Sequence, residues 1–388
     1  MINRCGCALI KLVTERIKVN QFVWRSKSTL SRTPTRVYLP ARGELSAKQS
    51  LAKLPPTSNK NDEARRLEAI TEIQQFAEAG EIFRKVMGDI HTLKNKRQIA
   101  LEGARLVEEG LRFGLKLRIL FLLKSLKVIP DCLKEFVERE KNESSSFGNY
   151  DDKKEVIRVK LSTLETWSSV KTPPGIIGIF DKPTEAHKCE KNEAELSAER
   201  APIPLTVILD NVREPGNLGS IIRTAAGIGC NVFLSTGCAD AWEMKALRGG
   251  DGAQFYVPIV SNVNLDALYR YPHLSEHFTN DSKSKGVGIF LADSDHLGTD
   301  NFGLRIQPYT EVNYGEFSRT ILILGGETAG LSDTVRRAVA HLQKYYPENV
   351  KTVSRITIPM CMPIDSLNVA NAFGIVGYEI ARQYRAKC

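Results

Sequence analysis

Paired cysteines, histidine clusters and long apolar runs are what this sequence lacks. Its 388 residues hold eight Cys, and none of them forms a C-x-x-C pair. Cys5 and Cys7 stand near the start and the others are scattered. That spacing excludes a zinc cluster or a disulfide framework and fits reduced thiols. His273 and His277, two of only six His, have helical i, i+4 spacing. No carboxylate–His pattern beside them completes a ligand set of three or four, so no metal is expected. No apolar run approaches the ~20 residues of a membrane span. The nearest, "LKLRILFLLKSLKVI", is interrupted by Lys and Arg. The G-x-G-x-x-G fingerprint of a dinucleotide fold is missing, as is any Gly-rich phosphate motif.

Charge is also scarce outside one segment. The net charge is +9. Residues 1–42 hold nine Lys and Arg against one acid, Glu15, a net +8, and the other 346 residues carry only +1. A nucleic acid would therefore meet local patches on a nearly neutral body. The Arg-rich, acid-poor, Ser/Thr-bearing start predicts a mitochondrial transit peptide over 1–45. The matrix is then the expected address. Composition is otherwise ordinary, 42% hydrophobic and 26% charged, so a sizeable core is possible.

Four further segments follow. Residues 46–81 read as a linker and a helix, with Asn61 or Asp62 as cap and Leu67, Ile70, Ile73 and Phe76 as its apolar stripe. Residues 82–180 read as a small α/β unit. In it Ile99 and Leu101 alternate as in a strand, Leu106, Val107, Leu111 and Phe113 mark a helix, and "RILFLL" is a buried strand. Arg84, Lys85, Lys94, Lys96 and Arg97 near its start read alone as a solvated face, and only as part of an RNA-binding domain would they suit RNA phosphates. The charged, Pro-flanked 181–202 is an interdomain linker. From 203 to 388 strands ("LTVIL", "NVFLS", "FYVPI", "GIFLA", "TILIL", "RITI") alternate with helices beginning near Leu218, Trp242, Ser332 and Ser366. That alternation predicts a mostly parallel sheet covered on both faces.

Three strand ends carry the chemistry. "DNVREPGNLGSIIRTA" is a strand, a turn of Pro215, Gly216, Asn217 and Gly219, and a helix with Arg223 one turn further in. Small residues admit a ligand to the backbone, and a helix N-terminus favours an anion. Two readings of Arg223 stay open: a fork onto a phosphate or ribose oxygen, or a surface pair with an acid such as Asp210. "ILILGGETAGLSD" breaks a second buried strand at Gly325, Gly326 and Gly330, with Glu327 in the turn. "RITIPMCMPIDSLNVANAFGIVGYEIARQ" leaves a third strand at Ile358-Pro359-Met360, and Asp365 or Ser366 is the expected cap of a small-faced last helix.

Together these stretches resemble the SpoU family of RNA ribose 2′-O-methyltransferases, within the SPOUT class. D-x-x-x-x-P-x-N-x-G-x-x-x-R-T-A, L-G-x-E-x-x-G-L and I-P-M-x-x-x-x-x-S-L-N-V occur in the family's order. The words "ALEGARLVEEGL" and "PPGIIGI" resemble the family's accessory RNA-binding domain, itself similar to a small ribosomal protein. The layout is similar to that of mitochondrial large-subunit rRNA guanosine 2′-O-methyltransferases.

The resemblance implies a C-terminal trefoil knot, S-adenosylmethionine as cofactor, and a homodimer through the last helix. It implies rRNA of the mitochondrial large subunit as substrate, with tRNA or a catalytically retired assembly factor as alternatives. It assigns Gly325, Gly326, Ile358, Met360 and Leu367 to the cofactor. Asn217, Arg223, Glu327, Ser366 and Asn368 would face the target ribose. The chain departs from the family pattern at Thr328, at Met362-Pro363, and at Gly250-Asp251, where Ser is common.

Overall fold

The structure, a computed structural model, describes residues 97–142, 155–183, 201–271, 274, 285–292, 304–326, 330–361 and 366–387. The expected transit peptide and the 46–81 segment lie outside the described residues. So do Arg84, Lys85, Lys94, Lys96, His273, His277, Glu327, Thr328, Met362-Pro363, Asp365 and most of the 181–202 linker.

A four-stranded sheet comes first: β1 (Gln98–Glu102), β2 (Leu117–Leu123), β3 (Glu155–Val159) and β4 (Ile176–Asp181), in the order β1-β4-β2-β3. Helices α1 (Ala104–Arg112), α2 (Asp131–Asn142) and α3 (Leu161–Trp167) accompany it. Alternation sorts the strand side chains, as period two requires. Ile99 and Leu101 join Leu106 and Val107 of α1, while Ala100 faces Phe121 and Leu164. Helix α2 is not evident from the sequence. Its hold on the core is narrow, with Leu133 and Val137 as its buried anchors.

The second sheet has seven strands: β5 (Leu205–Asp210), β6 (Asn231–Ser235), β7 (Ile259–Val263), β8 (Val287–Ala292), β9 (Ile306–Pro308), β10 (Arg319–Gly325) and β11 (Val350–Thr357). Their order is β7-β6-β5-β10-β8-β11-β9, and every pairing is parallel. The mostly parallel sheet expected from the alternation is therefore present. Helices α4 (Pro215–Ile228), α5 (Met244–Gly250), α6 (Asp333–Tyr345) and α7 (Val369–Arg385) belong to this half.

Both faces of the sheet are covered, which is why its strands read as continuous apolar runs. Val207, Leu209, Leu322 and Leu324 pack with α4 and α7 on one face. Ile208, Ile321 and Ile323 pack with α6 on the other. Two boundaries differ from the sequence reading. Phe255 ends a 3₁₀ turn, so β7 starts only at Ile259. The three-residue edge strand β9 has no alternation long enough to be legible.

Helix α5 joins the two sheets. Leu247 and Phe255 sit in the same apolar cluster as Leu101, Leu106 and Leu120. Met244 packs with Ala100 and Phe121. Burying one such leucine contributes ~1.5–3 kcal/mol, so parting the sheets here is costly. A polar latch adds to the apolar one. The buried Glu102 carboxylate accepts hydrogen bonds from Ser168 and Ser169, and Arg248 of α5 lies 3.8 Å from it.

Candidate active site

Because all seven strands run the same way, their carboxyl ends share one edge. The chain leaves β5 toward β6 on one side and returns through β10 and β11 on the other. The crevice outside such a reversal is where open parallel sheets bind ligands.

Asp210 closes β5 at this point, opposite Gly325 of β10. It is 2% exposed. One carboxylate oxygen accepts a hydrogen bond from the Asn211 amide at 2.8 Å, the other from the Ser332 backbone N–H at 2.9 Å. Ser332 is the N-cap of α6 and makes no side-chain cap of its own. Asp210 thus caps that helix from another strand, with its charge at the positive end of the helix dipole. It also fastens the second motif to the first.

The turn between them is tight. Asn211 sits in the left-handed region at φ 58°, and the Ser235 hydroxyl accepts a hydrogen bond from its N–H at 3.1 Å. A Cβ on Gly326 would lie 2.2 Å from the Asn211 carbonyl oxygen. Only glycine lets the two loops meet there. Gly326 then bridges back to Gly330.

Two helix N-termini converge beside these loops. Glu214 caps α4, accepting a hydrogen bond from the Asn217 N–H at 2.7 Å, with Pro215 at the first helical position. The Lys245 ammonium on this carboxylate holds its pKa below the usual range. At the start of α7 the cap is Asn368, not Asp365 or Ser366 as the sequence suggested. Its Oδ1 accepts hydrogen bonds from the Ala370 and Asn371 N–H groups at 3.0 and 3.4 Å. Ser366 stands two residues too early to reach those donors and is exposed. The Asn368 amide nitrogen then donates to the Asn217 side-chain oxygen at 2.9 Å, across 151 residues of chain. Two of the candidate ribose-facing residues are therefore in contact.

Arg223 is held elsewhere. Its guanidinium is 3.3 Å from the Asp251 carboxylate and the side chain is 60% exposed. The acid of the surface-pair reading is thus Asp251, since Asp210 is engaged by Asn211 and Ser332. The cause is local packing. A Cβ on Gly219 would lie 2.3 Å from the Ala246 carbonyl oxygen, so α4 and α5 touch backbone to backbone. Arg223, one turn on from Gly219, comes to the end of α5 where Asp251 is the C-cap. Six residues separate it from Asn217, ~9 Å along the helix at 1.5 Å per residue.

The residues assigned to the cofactor lie on the same edge. Gly325 ends β10 and Ile358 follows β11, half-buried. Met360 is half-buried, and Leu367, beside Asn368, is 36% exposed. The set presents apolar side chains and bare backbone and carries no charge. That chemistry fits a flat, neutral heteroaromatic ring with backbone partners. A shallow cavity of about 390 Å³ lined by Thr310, Arg382 and Lys387 shares no residue with these loops. Among the described residues no cluster could hold a metal ion, and no helix is long and apolar enough to cross a membrane.

Sequence reasoning missed Glu214 and Lys245, and it named Asp210 and Asp251 without the partners the structure gives them. The helix start was legible from Pro215 at its first position, but Glu is not a usual N-cap residue, so the capping role of Glu214 was not.

Glu243, the N-cap of α5, has its pKa pushed up to about 7, first by burial and then by Asp240. An acid that holds its proton more tightly when folded contributes full stability below the ordinary carboxylate range. That stability is lost as pH rises from there to about 7. Glu243→Gln is therefore expected to raise Tm near pH 8 by ~2–4 °C, for ~1 kcal/mol after discounting partial exposure, and to change little near pH 4. Thermal melts at the two pH values check this. An equal shift at both would exclude the titration of Glu243 as its cause.

Residues 204–378, which span all three loops, match the model of the SpoU rRNA Methylase family. The chain is 31% identical over 418 aligned residues to the "rRNA methyltransferase 3, mitochondrial" of Xenopus tropicalis, covering 95% of this chain and 94% of that protein. This protein belongs to the SpoU rRNA methylase family. Other members agree with that placement. The mitochondrial rRNA methyltransferase 3 of Homo sapiens is 29% identical, over 92% of this chain and 90% of its own. The 23S rRNA (guanosine(2553)-2′-O)-methyltransferase RlmP of Bacillus subtilis is 26% identical, over 75% of this chain and 92% of its own. The fold is shared with the crystal structure of the SpoU methyltransferase AviRb of Streptomyces viridochromogenes, solved in complex with AdoMet. There the TM-score is 0.54 at 19% identity, over 78% of this chain and 96% of that one.

Proposed function

We propose that this SpoU member methylates a ribose 2′-oxygen, on a guanosine, in the large-subunit rRNA of mitochondria. The observation that carries the reading is the Asn368–Asn217 hydrogen bond, which joins the third motif to the first at the reversal of the sheet. The near full-length similarity to mitochondrial rRNA methyltransferases supports the substrate and the mitochondrial address.

S-adenosylmethionine, when bound, supplies an electrophilic methyl group. Backbone groups at Gly325, Gly326, Ile358 and Leu367 would hold it, with the Leu367 and Met360 side chains closing over its apolar parts. Asn217 and Asn368 orient the ribose at the paired helix N-termini, and Ser366 adds a hydroxyl beside them. Arg223 binds a substrate phosphate and stabilises negative charge developing on the 2′-oxygen. A guanidinium with a pKa above ~12 does not serve as a free base. Glu327, as the family pattern has it, would also face the target ribose.

Four further features belong to this reading. Residues 1–45 act as the transit peptide. Residues 82–180 form the RNA-binding domain, joined through the 181–202 linker to the methyltransferase domain 203–388. β8 and β10 stand between β11 and β5, yet Asn368 beyond β11 bonds Asn217 at the start of α4, a connectivity that supports a trefoil knot. The outer face of α7 carries exposed Ile375 and Tyr378, and a Cβ on Gly374 would meet nothing within 4 Å. This supports a homodimer through that helix.

Ribose-methylation mapping of mitochondrial rRNA after depletion of the protein tests the function. One 2′-O-methyl group is expected to disappear from the large-subunit rRNA and to return with the wild-type chain. Calorimetry with S-adenosylmethionine separates an enzyme from a retired fold. Unchanged methylation of mitochondrial rRNA together with no cofactor binding would overturn the reading.

A further inference from the structure

We infer that Arg105, in the first turn of α1, forms with Arg223 a two-guanidinium fork for one RNA phosphodiester, held open by Asp251. The inference rests on the RNA substrate proposed above and adds to it a residue from the other sheet. Arg105 Nη2 lies 2.7 Å from Asp251 Oδ2, and Arg223 Nη2 lies 3.3 Å from the same oxygen. The two nitrogens can be no farther apart than the sum of those distances, about 6 Å. Asp251 is 19% exposed, whereas Arg105 and Arg223 are 77% and 60% exposed. The carboxylate therefore sits beneath and the guanidiniums stand outward.

The chemistry of the cluster points to a singly charged anion. Two guanidiniums against one carboxylate leave a net +1, and each keeps donors that a single oxygen cannot use. Nearby acids do not quench it. Glu108 and Glu109 are engaged by Arg112, and Glu109 also accepts from the Tyr256 hydroxyl. Glu102 faces Arg248. A phosphodiester offers two non-bridging oxygens and one negative charge, which matches both the spacing and the sign.

Asp251 is built for the role of positioning residue. It holds the left-handed conformation at φ 53°, rare for a residue with a side chain, and follows directly on α5. From there it reaches both α1 and α4. A salt bridge this exposed adds little to stability, so its use lies in aiming the two cations. A phosphate gripped by both would tie the RNA to both sheets at once and set the distance from the bound helix to the target ribose.

The test uses the full chain and an rRNA fragment of the large subunit. Binding is measured against salt, and methyl transfer is measured with RNA varied. Arg105→Ala is expected to weaken RNA binding several-fold and to lower the salt slope by about 0.7–0.9, the share of one phosphate contact. KM for RNA should rise by more than kcat falls, while the affinity for S-adenosylmethionine stays as in the wild type. Arg105→Lys should restore much of the salt slope but not the full affinity, because a point charge replaces a fork. Asp251→Asn should tighten RNA binding and steepen the salt slope, yet lower kcat as Arg223 loses its aim. Inorganic phosphate should compete only weakly, since the site is one contact of many.

An Arg105→Ala chain with wild-type salt slope and KM overturns the fork. So does one in which cofactor affinity falls in step with RNA affinity, which would mean a folding defect. Wild-type methyl transfer separates the two readings. If it proceeds and Arg105→Ala changes nothing, the fork fails and the enzyme stands. If it is absent while Arg105→Ala still lowers the slope, the fork stands and the enzyme reading fails.

Discussion

Arg223→Ala is expected to slow ribose methylation by about 10²–10³-fold, the usual cost of removing one preorganised donor from a developing oxyanion. The affinity for S-adenosylmethionine should stay unchanged, because the cofactor loops are tied together by Asp210, Asn211 and Asn368 and not by this side chain. Folding should also be intact. The guanidinium is largely exposed, and its ion pair to Asp251 is worth little in water. The measurement is single-turnover methyl transfer to rRNA beside calorimetry with the cofactor. Wild-type turnover in Arg223→Ala would remove this residue from the chemistry. Arg223→Lys keeps the charge but not the planar fork, so it should recover only part of the rate.

Asp210→Ala should damage the site from below. It removes a buried carboxylate that accepts from the Asn211 amide and from the Ser332 N–H. Hydrogen bonds to a charged acceptor contribute ~1.5–3 kcal/mol each, and the donors left behind on Asn211 and Ser332 are half-buried. A loss of ~3 kcal/mol is expected, which lowers Tm by roughly 6–12 °C for a domain of this size. The loop from Gly326 to Ser332 then loses its anchor to the first motif, so S-adenosylmethionine affinity should fall at least tenfold. Asp210→Asn, with one acceptor oxygen for two donors, should fall between. Thermal melts with and without cofactor check both effects. A destabilised Asp210→Ala chain that binds the cofactor with wild-type affinity would show that the second loop holds its shape unaided.

The two effects differ in kind, and the difference follows from burial. Arg223 is exposed and acts on the substrate, so its loss is read in rate. Asp210 is buried and acts on the loops, so its loss is read in stability and cofactor affinity. Asn217 and Asn368 lie between these cases, each belonging to a helix start as well as to the candidate site.

Local sequence was enough to determine the alternation of strands and helices from 203 onward and the three Gly-, Pro- and Asn-rich strand ends. Apolar runs bounded by turn residues specify such elements without reference to distant chain. The family's motif spelling was equally legible, since it is written in short words. What packs against what had to come from the tertiary structure. Asp210 reaches Ser332 across 122 residues and Asn368 reaches Asn217 across 151, distances at which no local pattern operates. The partner of Arg223 was decided by the backbone contact at Gly219, which brings the end of α5 and Asp251 under the guanidinium. Arg105, an ordinary helix-surface arginine in the sequence, became a neighbour of the site only because Leu247 and Phe255 dock one sheet onto the other. Periodicity and turn chemistry act over a few residues. Ion pairs and caps between distant elements depend on side-chain packing that a one-dimensional pattern does not encode.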